Sequence, residues 1–180
     1  MSTGRPCIFF DRDGIVNESP GPGYVERWED FYLQPGFVAA LRTISAKGYP
    51  AVIITNQQGV AKGLYTEEEL QTIHGQFRAM LQAHGLDVLD IYYCPHFADA
   101  GCECRKPKPG MLLQAAQEHG FDLAGSWMIG DGERDVEAGQ NATCRTLRVC
   151  AATEETTAGF RVEHMDDVAA LLEKELDPCG

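Results

Sequence analysis

Residues Ile8–Asn17 read IFFDRDGIVN, a short apolar run that stops abruptly at two aspartates one residue apart. The run has the length of a buried strand, and Gly14 supplies a backbone free to turn after it. Residues two apart in an extended segment point the same way, so the carboxylates of Asp11 and Asp13 face one site while Arg12 points elsewhere. Two like charges that close repel and raise one pKa unless a cation lies between them. A divalent metal, a proton-shuttling pair, or both, answers that repulsion. The alternative is an acidic turn that merely caps the strand.

Further along the chain, other strand-like runs also end in polar groups. Glu18–Asp30 (ESPGPGYVERWED) is rich in Gly and Pro and predicts an ordered loop that overhangs the aspartates, with Tyr24 and Trp28 available as contacts. Pro35 opens a helix through Val38, Leu41 and Ile44 that Gly48 ends. Ala51–Ile54 is a second strand, stopped by Thr55 and Asn56. Thr66–Glu69 has the form of a capping box ahead of the apolar stripe Leu70, Ile73, Phe77 and Met80 or Leu81. His74 and His84 on that helix are expected to be ordinary helix residues rather than ligands. Asp90–Tyr93 is a third strand and runs into Cys94. A helix from Pro109 to Gly120, strands at Ser126–Ile129 and Thr146–Val149, and a final helix from Asp166 to Leu176 complete the pattern, leaving Pro178–Gly180 as a loose end.

Strands separated by helices imply right-handed crossovers and a mostly parallel sheet covered on both faces. The fold class is α/β, three-layered and Rossmann-like. Ligands in such sheets bind beyond the carboxyl ends of the strands. That rule gathers Asp11, Asp13, Thr55, Asn56, Arg105, Lys106, Asp131 and Asp135 into one site.

With 180 residues and 44% hydrophobic content, the chain suits one domain spanning 1–180. A net charge of -12 argues against a nucleic-acid partner, which clustered Lys and Arg would serve. No apolar run is long enough to cross a bilayer, and the N-terminus lacks a signal core, so the expectation is a cytoplasmic, monomeric protein with a small phosphorylated metabolite as its partner.

Three acidic groups from two strand ends can hold magnesium. Asp11 could attack phosphorus to form an aspartyl-phosphate, with Asp13 alternating as acid and base and Thr55 and Lys106 neutralising the phosphoryl oxygens. Cys94, His96, Cys102 and Cys104 form C-x-H-x5-C-x-C, a closed Cys3His set suited to structural zinc within the inserted loop 94–104. That metal would brace the segment placing Arg105 and Lys106. Cys7, Cys144, Cys150 and Cys179 lie outside this motif and are expected to be packing or surface thiols.

The motifs DRDG, TNQ from Thr55, the lysine of RKPKPG and GDGERD resemble those of the haloacid dehalogenase superfamily of phosphatases. The resemblance implies Asp11 as nucleophile, Asp13 as acid/base, magnesium on Asp11, Asp13 and Asp131, and Asp135 as a more distant metal candidate. The zinc loop resembles that of the histidinol-phosphatase and heptose bisphosphate phosphatase group. GVAKGLYTEEEL and the GYV of the first loop favour the sugar bisphosphate, cleaved at its 7-phosphate. The short spacing from His96 to Cys102 favours histidinol phosphate, the alternative substrate. Gly132 stands where many heptose enzymes carry Lys, leaving a second phosphate contact unmatched.

The stretch from Thr55 to Lys106 is fully used by one helix, one strand and the zinc loop, so the fold is expected to lack a cap domain. Loop 18–30, through Tyr24, and Arg105 would then select the substrate. Non-enzymatic readings are a phosphoacceptor module or a zinc-stabilised binding protein. The opening D-x-D pair speaks against the first.

Overall fold

A computed structural model describes residues 4–179. Its centre is a six-stranded, wholly parallel sheet in the order β3-β2-β1-β4-β5-β6. The strands are β1 (Ile8–Phe10), β2 (Ala51–Asn56), β3 (Asp90–Cys94), β4 (Trp127–Gly130), β5 (Arg145–Val149) and β6 (Phe160–Val162). The helices are α1 (Pro35–Ala46), α2 (Glu67–Ala83), α3 (Gly110–His119), α4 (Glu133–Asn141) and α5 (Val168–Glu175). This is the expected three-layer arrangement.

Strand alternation separates the core into two faces. Ile8, Phe10, Ile53, Trp127 and Ile129 pack with α1, α2 and α5, whereas Phe9, Val52, Ile54 and Met128 pack with α3 and α4. Both faces of β1 are therefore buried, which is why its sequence reads as an unbroken apolar run. Burying side chains of this size contributes roughly 1.5–3 kcal/mol each, so the apolar strand that ends at Asp11 anchors it firmly.

Local chemistry sets the helix ends. Thr66 and Glu69 form the reciprocal capping box, with Glu69 N donating to Thr66 Oγ1 at 3.1 Å and Thr66 N to Glu69 Oε2 at 2.8 Å. Gly120 closes α3 in the left-handed conformation.

Several expectations need correction. Thr55 and Asn56 belong to β2 rather than lying past it, because both pair with β3. The acidic turn after β4 leads straight into α4, and β6 adds a sixth strand too short to leave a pattern. The final helix begins with a 3-10 turn at Met165–Asp167. Trp28 stacks on Phe31 at 5.2 Å between ring centroids and packs against the core, not over the aspartates. Gly180 lies outside the described residues, but the rest of the expected loose end is tied down. Cys179 N donates to Lys47 O at 2.7 Å, and Tyr49 Oη to Asp177 O at 3.0 Å.

Between Thr55 and Lys106 the chain forms only α2, β3 and their loops. No helix among the described residues is long and apolar enough to cross a membrane.

Candidate active site

The strand order reverses direction between β1 and β4, and the ends of those strands open the crevice in which ligands of such sheets bind. Asp11 follows β1 and is 4% exposed. Its Oδ1 accepts from Lys106 Nζ at 2.7 Å and from Arg12 N at 2.8 Å. Both bonds fall on one oxygen, which leaves Oδ2 to the site.

Lys106 is itself buried, between Asp11 Oδ1 and Asp135 Oδ1, each 2.7 Å away, and also donates to Ile54 O at 2.8 Å. Burial would lower its pKa, but the two aspartates outweigh burial and hold it above the ordinary lysine value. Asn56 explains how a lysine so far along the chain is fixed here. Its side chain accepts from Lys106 N and donates to Lys106 O, both at 3.1 Å. It therefore acts on the position of Lys106, while also lining the cleft.

The side chains of Asp11, Asp131 and Asp135 offer oxygens within 4.8 Å of one another. Asp11 is pushed up to about 7, first by burial and then by Asp135, and Asp131 up to about 6 for the same two reasons. Asp135 Oδ1 has no hydrogen-bond partner among the described residues, its contact to Lys106 being an ion pair. Hard oxygens short of positive charge fit magnesium.

The Asp13 side chain lies outside this group of close carboxylates, and that of Asp135 lies within it. The Arg12 guanidinium is completely buried and needs a counter-charge. Asp13 supplies it, accepting from Arg12 Nη2 at 2.9 Å, from Asn17 Nδ2 at 3.0 Å and from Gln57 Nε2 at 3.1 Å. Burial alone would raise the Asp13 carboxyl, but Arg12 and these hydrogen bonds hold it below the usual carboxylate range. His74 completes the arrangement, with Nε2 3.2 Å from Arg12 Nη1. It is thus a buried partner of the site's arginine, a role its place on an apolar helix face did not suggest. His84 caps the same helix, as an ordinary residue.

Beside Asp13 and Asp131 lies a cleft of about 240 Å³ lined by Ser19–Tyr24, Asn56, Gln58, Arg105 and Arg134. Loop 18–30 does overhang the site, and Tyr24 and Arg105 both face the cleft as the sequence suggested. Tyr24 is supported by Lys62, whose Nζ is 5.1 Å from its ring centroid, and by the Tyr65 ring at 6.4 Å. Sequence reasoning missed Gln57, Gln58, Tyr65 and Arg134. Only the glutamines carried a signal, as polar residues directly after a strand end.

Cys94, His96, Cys102 and Cys104 come together as expected, with ligand atoms within 4.8 Å of one another. Cys94 Sγ is 3.6 Å from Cys102 Sγ and 3.5 Å from His96 Nδ1, and His96 Nδ1 is 3.2 Å from Cys104 Sγ. Tetrahedral zinc with bonds of about 2.0–2.3 Å would span edges of this order, so the donor set fits that ion. Cys7, Cys144 and Cys150 are buried free thiols, which agrees with packing roles, and Cys179 is partly exposed. A third grouping, Asp90, Glu118 and His119, starts from the opposite end of β3 and does not reach the site.

Fold and site together define a phosphatase of the haloacid dehalogenase type, and the HAD-hydrolase-like family model matches residues 103–172. The heptose-1,7-bisphosphate 7-phosphatase of Escherichia coli K12 is 32% identical, covering 99% of this chain and all of that one. The corresponding Pseudomonas aeruginosa enzyme is 34% identical over 93% of this chain and 96% of its own. The crystal structure of the B. bronchiseptica D,D-heptose 1,7-bisphosphate phosphatase, solved with magnesium and phosphate, superposes with a TM-score of 0.83 at 34% identity, covering 95% of this chain and 99% of that one. The chain belongs to the D-glycero-D-manno-heptose-1,7-bisphosphate 7-phosphatase family.

Proposed function

We propose that the protein removes the 7-phosphate of D-glycero-D-manno-heptose 1,7-bisphosphate in a magnesium-dependent reaction. The observation that carries this reading is the Asp11–Lys106–Asp135 arrangement, which presents one free carboxylate oxygen of Asp11 beside Asp131. The substrate is supported by the names of the relatives.

Asp11 Oδ2 attacks phosphorus, forming an aspartyl-phosphate and releasing the sugar alkoxide. Asp11 and Asp131 would hold magnesium, with Asp135 behind them, and the ion supplies charge that offsets the repulsion between carboxylate and phosphate. Lys106 keeps the spent oxygen of Asp11 fixed. Thr55 Oγ1, held by Gln57 Nε2 at 2.9 Å, offers its proton to a phosphoryl oxygen.

Asp13 is a carboxylate in the resting protein. A phosphate dianion arriving beside it raises its proton affinity, so it takes up a proton, gives it to the leaving oxygen and later accepts one from the attacking water. The Cys3His loop holds zinc as a structural ion. Arg105 follows its last ligand directly, and is steadied by donating to His96 O and Gln58 Oε1, both at 3.3 Å.

Phosphate release from heptose 1,7-bisphosphate and from histidinol phosphate, with and without magnesium, tests the reading. Preference for the bisphosphate and loss of turnover in Asp11→Asn are expected. Turnover that survives Asp11→Asn would remove Asp11 as nucleophile, and preference for histidinol phosphate would overturn the substrate.

A further inference from the structure

Asp131 stands between two glycines, Gly130 and Gly132, in the turn that joins β4 to α4. The pairing of β4 with β5 ends at Gly130, and glycines restrain the backbone least, so the chain itself does little to aim the Asp131 carboxylate. One side chain supplies the restraint. Arg148, on β5, donates from Nε to Asp131 O at 3.0 Å, the only hydrogen bond that this carbonyl accepts among the described residues.

The Arg148 side chain is buried, at 8% exposure, and its other nitrogens are tied down as well. Nη1 donates to Glu133 Oε2 at 3.1 Å and to Glu155 O at 2.9 Å, and Nη2 to Glu154 Oε2 at 2.7 Å. A guanidinium is planar and rigid, so these bonds fix the direction of its Nε. A buried ion pair is weak evidence of stabilisation, because desolvation offsets much of the attraction. An apolar side chain between Leu147 and Val149 would pack on β5 without that penalty. What the arginine adds is a fixed donor for the Asp131 peptide.

We propose that Arg148 is a positioning residue for the magnesium site, holding the Asp131 main chain so that its carboxylate faces Asp11. It acts through Asp131 and not on the substrate. The inference rests on the reading of Asp131 as a magnesium ligand.

The test uses substrate-free protein titrated with manganese(II), which shares magnesium's preference for octahedral oxygen ligands, with the free ion followed by its EPR signal. Metal affinity is thus read without turnover. Arg148→Met keeps the length of the side chain and removes its donors. Groups behind metal ligands typically set affinity by about 10- to 100-fold, so a weakening of this order is expected, with part of it recovered in Arg148→Lys. Thr157→Val is the comparison for a merely structural role. It removes the bond from Thr157 Oγ1 to Glu133 Oε1, loosening the loop after β5 while leaving every bond of Arg148 in place, and should bind manganese as the wild type does.

Wild-type affinity in Arg148→Met would overturn the inference. So would equal weakening in Arg148→Met and Thr157→Val, which would assign the effect to the order of the loop. Should Arg148→Met fail to fold, Arg148→Lys carries the test: one ammonium cannot hold the carbonyl and both glutamates, so wild-type affinity there would also overturn it. Asp131→Asn separates the two readings. Wild-type affinity in that variant would remove Asp131 as a metal ligand, and the inference with it.

Discussion

Gly14 and Asp131 occupy each other's space: a Cβ on Gly14 would lie 2.1 Å from Asp131 Oδ2. Gly14 also has a φ of 88°, which side chains disfavour. The turn after β1 and the carboxylate after β4 can meet only because residue 14 has no side chain. Replacing it with Ala should displace Asp131 by a sizeable fraction of an ångström while leaving the sheet intact. The expected result is a loss of about 100-fold in kcat, the usual cost of misplacing a reacting group, together with a higher magnesium requirement. Steady-state kinetics over a magnesium titration would show it. Wild-type magnesium dependence in Gly14→Ala would mean that Asp131 does not set metal affinity.

The Cys3His loop makes a separate prediction, because Gly110 at the start of α3 packs directly on it. A Cβ on Gly110 would come within 2.2 Å of Glu103 O. Elemental analysis should find one zinc per chain. Stripping it should release the loop and Arg105 with it, since zinc binding to such sites contributes directly to folding. Limited proteolysis should then cut between residues 95 and 104 in the stripped protein and leave the loaded protein whole. A chelator-treated sample with the wild-type cleavage pattern would show that the loop holds itself.

Much of this site was readable from strand ends. Asp11 and Asp131 directly follow β1 and β4, Thr55 is the last residue but one of β2, and Lys106 follows the loop after β3, so the rule for parallel sheets gathers them at one end of the sheet. The Asp13 side chain points away from Asp11 and Asp131, and that of Asp135 towards them, for a reason that sequence spacing does not record. Arg12 is turned into the interior and draws Asp13 to itself, whereas Asp135 is brought forward by α4, a helix with few apolar residues to announce it. Gly130 allows that approach, since a Cβ there would lie 2.3 Å from Asp135 Cβ. Strand β6 was hidden for a simpler reason: three residues, FRV, carry too little alternation to stand out.

His74 should shape the acid limb of the stability curve. Burial first, and the charge of Arg12 second, push its pKa down to about 3, so it is neutral in the folded protein at neutral pH. The unfolded chain binds this proton near pH 6.5. Between pH 6.5 and about 3 the unfolded state therefore holds more protons, and the stability present above 6.5 is lost as the pH falls, by up to about 1.4 kcal/mol per pH unit. Asp11 and Asp131, with raised values, act in the opposite sense over part of this range. The comparison is thus the difference between wild type and His74→Gln, in which those contributions are shared. Denaturant melts at pH 7 and pH 5 should show the variant losing less stability on acidification. Parallel losses would place the titration elsewhere.

Tyr65 reaches the proposed acid/base through one intermediary. Its hydroxyl donates to Gln57 Oε1 at 2.6 Å, which fixes the orientation of the amide. Gln57 Nε2 then donates to both Asp13 Oδ2 and Thr55 Oγ1. Without the hydroxyl, the Gln57 amide is free to rotate, and Asp13 loses one of the hydrogen bonds that hold its pKa down. In Tyr65→Phe the Asp13 carboxyl should therefore bind protons more readily, and because Asp13 must carry the proton it gives to the leaving oxygen, the alkaline limb of the kcat/KM profile should move to higher pH. A fall in kcat of about 10-fold is expected from the loss of one hydrogen bond's worth of positioning. Gln57→Ala should reproduce the shift, since it removes the donor itself. If Tyr65→Phe lowers the melting temperature but keeps the wild-type pH profile, the Tyr65–Gln57 bond serves packing and not the orientation of Asp13.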